Sequence, residues 1–411
     1  MGLARVSSVA RTLGVDRLAC PVITVAGTNG KGSTVAHLEA LLRAAGARTG
    51  MFTSPHFIRY NERIRVEAAE VPDDALVRAF ERIEAARGLT TLTFFEYNTL
   101  AALLIFAEQA VEVAILEVGL GGRLDATNLV DADVAIVCSI GSDHRDWLGE
   151  TLEQIGAEKA GIFRHGRPAV LSTAALPASV YAAIEQIGAR AVIADRDYRW
   201  RIENAAPASG NGPGGHWRYE GIRLRLDGLP PSALVGSVQY RNAAAALAAI
   251  ESLGSRFVLS ERAVREGLRQ VRLAGRFQIA MVDGVEWILD IAHNEPAAHV
   301  FAAHVQERPL AQSARTFAVV GILSDKDAPQ IVAALEPLVS HWILCALPGP
   351  RGGSASDLAH RVSLPAQRME QAGSVQEGCE AACKLARTGD RVLVFGSVYT
   401  VGPALQWLRI Y

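Results

Sequence analysis

The sequence predicts an α/β protein of two domains, with a parallel sheet covered by helices on both faces in the larger one. Short apolar segments alternate along the chain with segments of helical periodicity, and this alternation is typical of parallel sheets. The apolar segments are nearly uninterrupted runs of Val, Ile and Leu, as expected for strands buried on both faces. With 411 residues, half of them hydrophobic, the chain can form two cores.

The first domain begins with GLARVSSVARTLG, which is basic and free of acidic residues, as transit peptides are. Its Arg5, Val6, Val9 and Leu13 also suit an amphipathic helix, and a helix is the interpretation we adopt. Helices are expected over residues 34–45 and 152–163. Predicted strands lie in PVITVAG, RTGMFTSP, EVAILEVG, DVAIVCSI and RPAVLST.

The pattern changes between Tyr198 and Leu229, where RWRIEN and HWRYEGIRLRL alternate polar and apolar residues around the glycine-rich ASGNGPGG. We expect a small antiparallel excursion of two strands here, followed by a helix from Asn242 to Leu253. A second alternating series, VEWILDIAH, RTFAVVGIL, HWILCALP and RVLVFGSVY, predicts a smaller Rossmann-like α/β domain. We therefore divide the chain into domains 1–274 and 275–411, with the crevice between them as the expected ligand site.

Charge and cysteine content exclude several classes of protein. The formal net charge of -2 lacks the basic excess of nucleic-acid binders. The five cysteines form no C-x-x-C pair and are odd in number, which fits reduced thiols in the cytoplasm. Cys379 and Cys383 would share a helical face, but thiols without nearby histidines are usually core residues. The longest uncharged runs contain proline and do not resemble membrane spans.

The segment VAGTNGKGST, Val25 to Thr34, differs from the usual phosphate-binding loop in its spacing. It still follows a predicted strand and opens a helix, so its backbone N–H groups and the helix N-terminus can face an anion. Lys31 supplies positive charge, the glycines allow close approach, and Ser33 can offer a hydroxyl to Mg²⁺. A glycine-rich turn with an exposed lysine is the alternative.

Other polar residues stand at predicted strand ends, where open α/β sheets bind ligands. Ser54 and His56 follow one strand, Glu117 ends another, and His144 follows a third. Glu117 requires a partner such as a cation, whereas His144 is equally compatible with a structural role and with a place beside Mg²⁺. Asp290 and His293 end a strand of the second domain. The GLGG segment has the wrong spacing for a dinucleotide fingerprint, and no serine hydrolase elbow occurs.

A series of motifs occurs in order over nearly the whole chain, namely GTNGKGS, TSPHFIRYNERIRV, TFFEYNTLAAL, EVGLGGRLDATN, SDHRDWLG, EKAGIFR, AGRFQ, DIAHN and FGS. This series resembles the folylpolyglutamate synthase family, and within it the bifunctional dihydrofolate synthases of the Mur ligase superfamily. The resemblance implies an ATP-dependent amide ligase that activates an acceptor carboxylate as an acyl phosphate. It implies ATP and Mg²⁺ as cofactors and dihydropteroate, reduced folates and L-glutamate as partners. We expect a monomeric cytoplasmic enzyme that binds neither nucleic acid nor membrane.

The resemblance also assigns site residues by their motif positions. Lys31, Glu117, His144 and Lys159 are the expected catalytic residues, with Lys159 carboxylated to a carbamate. Ser54, Glu117 and His144 are the expected metal ligands, and His293 and Ser397 are expected near glutamate. ATP is expected to contact Thr28, Asn29, Gly30, Lys31, Gly32, Ser33, Asn242, Arg276 and Asp290, and the pterin is expected to contact Thr93, Phe94, Phe95, Glu96, Leu124, Asp125 and Ala126.

The chain departs from the family pattern in three places. A further helix usually precedes GLARVSSVARTLG, so Met1 is expected to be a late start or the end of a trimmed chain. Glu295 interrupts the HNP motif, and Tyr399 stands in FGSVY where the family commonly has FGSFH. Both changes bear on glutamate handling. A Mur-like ligase for another carboxylate and a non-catalytic ATP-binding module remain alternatives.

Overall fold

The computed structural model describes residues 2–142, 145–203 and 215–411. The chain forms two compact units. The first comprises Met1–Ala233 and Val238–Arg272, and the second comprises Leu234–Ser237 and Leu273–Tyr411. The chain therefore enters the second unit briefly at residue 234, returns at residue 238, and leaves the first unit finally after residue 272.

The first unit contains an eight-stranded sheet that confirms the predicted parallel architecture. Its strand order is β4-β3-β2-β5-β1-β6-β7-β8, and only β3, near one edge, runs antiparallel to its neighbours β2 and β4. All of the predicted strands of this sheet are present, and β3, β4 and β8 are additional. The strands are β1 Val22–Ala26, β2 Thr49–Phe52, β3 Ile64–Val66, β4 Ala69–Glu70, β5 Val113–Glu117, β6 Val134–Val137, β7 Pro168–Leu171 and β8 Arg190–Ile193.

Helices cover both faces of this sheet. Ile23, Val25 and Ile115 face one core with α2, α8 and α9, whereas Val22 and Leu116 face another with α1, α3 and α4. Successive side chains of a strand point to opposite faces of the sheet. Both faces are covered by helices, which explains why the central strands are apolar throughout. The helices are α1 Ala4–Leu13, α2 Lys31–Ala44, α3 Asp73–Arg87, α4 Phe94–Glu108, α5 Arg145–Leu148, α6 Leu152–Ala160, α7 Ala178–Ile187, α8 Val238–Ser252 and α9 Glu261–Gln270.

The antiparallel excursion has three strands, so the expectation of two was wrong. The strands are β9 Arg199–Glu203, β10 His216–Glu220 and β11 Arg225–Leu229, in the order β11-β10-β9. HWRYEGIRLRL is divided by a turn because the buried Glu251 carboxylate accepts hydrogen bonds from the backbone N–H groups of Ile222, Arg223 and Leu224. That partner lies more than twenty residues away, so alternation alone could not reveal the turn. The glycine-rich tip falls outside the described residues except for Gly215.

The second unit contains a six-stranded sheet of order β12-β13-β17-β14-β15-β16. The four predicted strands are β13, β14, β15 and β17, and the two missed strands, β12 and β16, form the edges. The polar composition of MEQA in β16 explains the omission. The strands are β12 Gln278–Val282, β13 Val285–Asp290, β14 Thr316–Val320, β15 His341–Cys345, β16 Met369–Ala372 and β17 Arg391–Phe395, and the helices are α10 Glu295–Gln306, α11 Ala328–Leu335, α12 Ala355–Arg361, α13 Val375–Leu385 and α14 Val398–Leu408.

Two further expectations concern membranes and thiols. Within the described ranges, none of the helices is both long enough and apolar enough to cross a membrane. All five cysteines are free, and Cys379 is buried in α13 while Cys383 is exposed. Burial raises the pKa of the Cys379 thiol, as expected for an unreactive core residue.

Candidate functional site

The phosphate loop is a tight turn between β1 and α2. Gly30 is the N-cap residue of α2 and has φ +90°, a conformation that favours glycine. A Cβ at Gly30 would lie 3.1 Å from Asn242 Oδ1, so α8 packs directly against the turn. Asn242 is buried, and its Oδ1 has no hydrogen-bond partner among the described groups. An unsatisfied buried acceptor at the loop fits a site where a ligand donor completes the bonding.

Lys31 is the first residue of α2, and its side chain folds over the loop. Its Nζ donates hydrogen bonds to the carbonyl oxygens of Gly27, at 3.0 Å, and Thr28, at 3.2 Å. The ammonium therefore lies beside the N–H groups at the start of α2, where the helix dipole also favours an anion. Gly32 and Ser33 are buried in the same turn.

The opposite side of the loop is fixed to the segment that follows β6. The Thr28 hydroxyl donates to the Gly141 carbonyl and accepts from the Gly141 N–H, both at 3.0 Å. The Asn29 N–H donates to Ser139 Oγ at 3.1 Å, and Ser139 Oγ donates to the Asn29 carbonyl at 2.9 Å. These paired bonds hold the loop rigid, which reduces the entropy lost when a phosphate is bound.

Ser54 and Glu117 come together at the carboxyl ends of β2 and β5. Glu117 is buried, and its Oε2 accepts a hydrogen bond from the Ser54 backbone N–H at 3.3 Å. The loop after Ser54 is held by the Glu62 carboxylate, which accepts from the N–H groups of Phe57, Ile58 and Arg59. The structure thus brings together two of the three expected metal ligands. His144, the third, lies outside the described residues.

Carboxylate and hydroxyl oxygens are the ligand types that Mg²⁺ prefers, and Mg²⁺ is usually bound by one or two carboxylates together with substrate phosphates. Glu117 and Ser54 beside the phosphate loop have this character. In the described ranges no group of three His, Cys, Asp or Glu side chains is arranged to hold a metal ion. The oxygen donors of Glu117 and Ser54 therefore fit Mg²⁺ by their chemistry.

Lys159 lies in α6, is buried, and reaches the phosphate loop. Its Nζ donates a hydrogen bond to the Gly27 carbonyl at 3.0 Å, which is the same carbonyl that accepts from Lys31. The GLGG segment passes close by, since a Cβ at Gly122 would lie 2.8 Å from the Lys159 carbonyl oxygen. The buried position is unusual for a lysine and fits a chemical function rather than a solvated surface charge.

Phe94 and Phe95, at the start of α4, have different environments. Phe95 packs on Phe52, with ring centroids 5.6 Å apart, and on the backbone of Gly119. Phe94 is 59% exposed, although one side of its ring contacts Tyr60 at a centroid distance of 5.8 Å. The Arg63 guanidinium lies 5.2 Å from the Phe94 centroid. An exposed ring supported in this way can stack on a flat aromatic ligand.

Thr93 and Glu96 form a capping box at the start of α4, in which the Thr93 hydroxyl accepts from the Glu96 N–H and the Glu96 carboxylate accepts from the Thr93 N–H. Asp125 is bound in a similar way, since its carboxylate accepts from the N–H groups of Gly119, Leu120 and Thr127. Burial raises the pKa of Asp125. Leu124 is half-buried and Ala126 is buried. These hydrogen bonds fix the start of α4 and the segment that follows β5.

In the second unit, Asp290 is the last residue of β13 and His293 follows it, whereas Ser397 follows the adjacent strand β17. Asp290 accepts hydrogen bonds from the backbone N–H groups of Phe277 and Ala292, both at 2.8 Å. Burial raises the pKa of Asp290, and the opposing attraction of Arg276 is smaller. Ser397 is buried and caps α14 by accepting from the Tyr399 N–H. Parallel strands of an open sheet bind ligands at these ends.

Sequence reasoning missed several residues that shape the site. Glu62 and Tyr60 belong to the quoted TSPHFIRYNERIRV motif but have no distinguishing pattern. Arg63 Nε donates to His56 Nδ1 at 2.7 Å, and burial together with the Arg63 charge lowers the pKa of His56. His37, in α2, was also missed. A polar residue on the buried face of a helix is the one sequence signal that could have identified it.

Comparison with known proteins gives consistent results over both units. The Mur ligase middle domain matches residues 25–250, and the Mur ligase glutamate ligase domain matches residues 275–398. The dihydrofolate synthase/folylpolyglutamate synthase of Escherichia coli (strain K12) is 41% identical over 406 residues, which cover 99% of this chain and 91% of that protein. The corresponding protein of Haemophilus influenzae is 37% identical over 418 residues, covering 98% of this chain and 92% of that protein.

Solved structures agree with the sequence matches. A structure of E. coli FolC in complex with DHPP and ADP has a TM-score of 0.91 at 41% identity, and covers 100% of this chain and 93% of that chain. A bifunctional folylpolyglutamate synthase/dihydrofolate synthase with Mn, AMPPNP and L-glutamate bound has a TM-score of 0.89 at 41% identity, covering 100% of this chain and 95% of that chain.

Proposed function

The chain belongs to the dihydrofolate synthase/folylpolyglutamate synthase family of the Mur ligases, and on that premise we propose the following function for it. It uses ATP to join L-glutamate by an amide bond to dihydropteroate and to the glutamate tail of reduced folates. The observation that carries the proposal is the phosphate loop, where α2 begins at Lys31 directly after Gly30 and the Lys31 ammonium folds back onto the carbonyl oxygens of Gly27 and Thr28. Relatives with ADP, or with AMPPNP and L-glutamate, bound support the same activity.

The reaction takes place in two transfers. An oxygen of the acceptor carboxylate attacks the γ-phosphorus of ATP, the bond from phosphorus to the bridging oxygen breaks, and ADP leaves. The amine of L-glutamate then attacks the acyl phosphate carbonyl, phosphate leaves, and the nitrogen loses a proton. Both transfers depend chiefly on positioning and on neutralising charge. Lys31 and the first N–H groups of α2 hold the phosphates, and Asn242 Oδ1 accepts a donor of the nucleotide.

Glu117, Ser54 and His144 would hold Mg²⁺, which when bound neutralises charge on the phosphate oxygens. Lys159 would serve this site as a carbamate, formed when its neutral amine captures CO₂ and releases a proton. The unmodified Nζ donates to the Gly27 carbonyl, and the carbamate nitrogen keeps one N–H with which it can donate a hydrogen bond. Carboxylation also changes the charge of the Lys159 side chain from positive to negative. The metal ion would repel the ammonium, whereas it attracts the carbamate anion.

The acceptor and glutamate are assigned to separate groups of residues. Phe94 offers its exposed ring to the pterin, and Phe95, Thr93, Glu96 and Leu124 to Ala126 form the surrounding wall. In the second unit, Arg276 and Asp290 contact ATP, and His293 and Ser397 contact L-glutamate. The side chains of Glu295 and Tyr399 stand beside these two positions in sequence, so they would influence the length of tail accepted.

The protein is also proposed to act as a monomer in the cytoplasm. The five free thiols support a reducing compartment, in which disulfides are rare. A single mass corresponding to one chain in native mass spectrometry is the expected result. A dominant dimer at micromolar concentration would contradict the monomer assignment without affecting the assigned reaction.

The test of the proposed function is ADP release by Lys31→Ala with each acceptor in turn. We expect no acceptor-dependent ADP formation, since the variant lacks the cation at the phosphate loop. Lys384→Ala is the matched control, because Lys384 is an exposed lysine of α13 in the other unit. Normal turnover by Lys31→Ala would refute the role of the loop. Stabilisation by dihydropteroate in a thermal shift assay would exclude a Mur-like ligase acting on an unrelated carboxylate.

A further inference from the structure

His37 occupies a position in α2 that neither the motifs nor the proposed chemistry explains. It lies one turn after Ser33 and is completely buried. Its Nδ1 lies 2.7 Å from the Ser33 carbonyl oxygen and its Nε2 lies 2.8 Å from Ser232 Oγ. Both ring nitrogens are therefore engaged, one by the end of the phosphate loop and the other by a residue almost two hundred positions away.

The partners of His37 fix its protonation. A carbonyl oxygen only accepts hydrogen bonds, so Nδ1 must carry the proton, and in the neutral ring Nε2 then accepts from the Ser232 hydroxyl. Burial lowers the pKa of His37 to about 4, and the ring is neutral at neutral pH. The two hydrogen bonds of the imidazole therefore run in one direction: the Ser232 hydroxyl donates to Nε2, and the Nδ1 N–H donates to the Ser33 carbonyl.

Ser232 stands at the point where the chain leaves the first unit. It follows β11, and residues 234–237 then belong to the second unit. The chain returns at Val238 to begin α8, which carries Asn242 to the phosphate loop at Gly30. The chain before the excursion is therefore hydrogen-bonded to α2 through His37, and the helix that begins after the excursion packs against the loop at Gly30.

We propose that His37 is a positioning residue, which links the first turn of α2 to Ser232 so that the phosphate loop and the departing chain are held in one arrangement. The inference rests on the proposed function, because the loop is taken to bind ATP. The Ser33 carbonyl is part of the turn whose N–H groups face the phosphates. A displacement of about 1 Å at such a site can lower the rate of the reaction about a hundredfold, and the same displacement moves the N–H groups away from the phosphate oxygens.

A buried histidine that serves only the core would affect stability but not nucleotide affinity, so the two roles can be separated by measurement. Ser232→Ala removes the hydroxyl and leaves α2 unchanged. His37→Asn keeps a donor for the Ser33 carbonyl but is too short to reach Ser232. Ser232→Thr restores the hydroxyl. Ser252→Ala is the matched control, since it removes a serine hydroxyl that donates within α8, to the Ala248 carbonyl, and not to His37.

The experiment measures ADP dissociation constants by calorimetry and the KM for ATP with saturating acceptor and glutamate. We expect Ser232→Ala and His37→Asn each to weaken ADP binding about tenfold, equivalent to about 1.4 kcal/mol. The variant that carries both substitutions should bind ADP as tightly as whichever single variant binds it less tightly, because each substitution removes the same link. Ser232→Thr should recover most of the affinity, and Ser252→Ala should bind as the parent does.

The proposal is overturned if Ser232→Ala and His37→Asn lower the melting temperature while their ADP dissociation constants equal that of the parent. It is also overturned if the losses in affinity are additive in the double variant. A parent protein that binds ADP but forms no amide would refute the proposed function instead. The binding comparison would still decide the role of His37 in that case.

Discussion

Replacing Gly30 by alanine tests the geometry of the phosphate loop most directly. Gly30 has φ +90°, and alanine in the left-handed region costs about 1–2 kcal/mol. Its new Cβ would also lie 3.1 Å from Asn242 Oδ1 and 3.5 Å from Cys138 Cβ. Crowding of a packed site costs about 1–3 kcal/mol more. Because Asn242 must move, we expect ADP to bind about ten- to a hundredfold more weakly.

Gly46 provides a matched control at the other end of α2. It has φ +86°, so Gly46→Ala carries a similar backbone strain, but no atom lies within 4 Å of the new Cβ. Urea unfolding should show both variants destabilised, with Gly30→Ala losing more. Calorimetry with ADP should show a loss of affinity in Gly30→Ala alone. Equal ADP dissociation constants in the two variants would refute the assigned contact between the loop and α8.

Three further predictions concern the metal site, the acceptor pocket and pH. Lys159→Ala should lose turnover and regain part of it with a short carboxylate such as acetate or formate, and a complete lack of rescue would count against the carbamate. Phe94→Ala should raise the KM for dihydropteroate about tenfold, corresponding to about 1.4 kcal/mol of stacking. Leu89→Ala, at a fully exposed position, is the control and should leave this KM unchanged. Equal KM values in the two variants would refute the stacking role. Burial lowers the pKa of His304 from 6.5 to about 4, so the unfolded state binds more protons between these values and stability is lost as pH falls from about 6.5 to about 4. His304 should lower the free energy of unfolding by about 3 kcal/mol over this range. His304→Gln should make the free energy of unfolding depend less on pH, and an unchanged dependence would contradict this assignment.

Much of the fold could be predicted because strands buried on both faces of a parallel sheet are short, continuous runs of apolar residues in the sequence. Segments such as EVAILEVG have one interpretation once helical segments alternate with them. The third strand of the small sheet could not be predicted, because its turn depends on Glu251, which is distant in sequence. The edge strand β16 was missed because MEQA can remain polar where only part of it is buried.

The proximity of Ser54 to Glu117 could be anticipated from the sequence, because the carboxyl ends of neighbouring parallel strands meet at one edge of a sheet. His37 was not predictable, because its role depends on a hydroxyl brought to it by the path of the chain near residue 232. The sequence also could not separate the two phenylalanines of TFFE. The structure distinguishes them by exposure, since Phe95 is packed on Gly119 and Phe94 is open on one side.

We propose that the protein joins L-glutamate to two acceptors with ATP. The most direct measurement is to incubate the protein with ATP, Mg²⁺ and L-glutamate, add dihydropteroate or a reduced folate in separate reactions, and weigh the products by mass spectrometry. Each acceptor is expected to gain the mass of a glutamyl residue, with one ADP released for each amide formed. Acceptors recovered unchanged in both reactions, with or without ADP release, would contradict it.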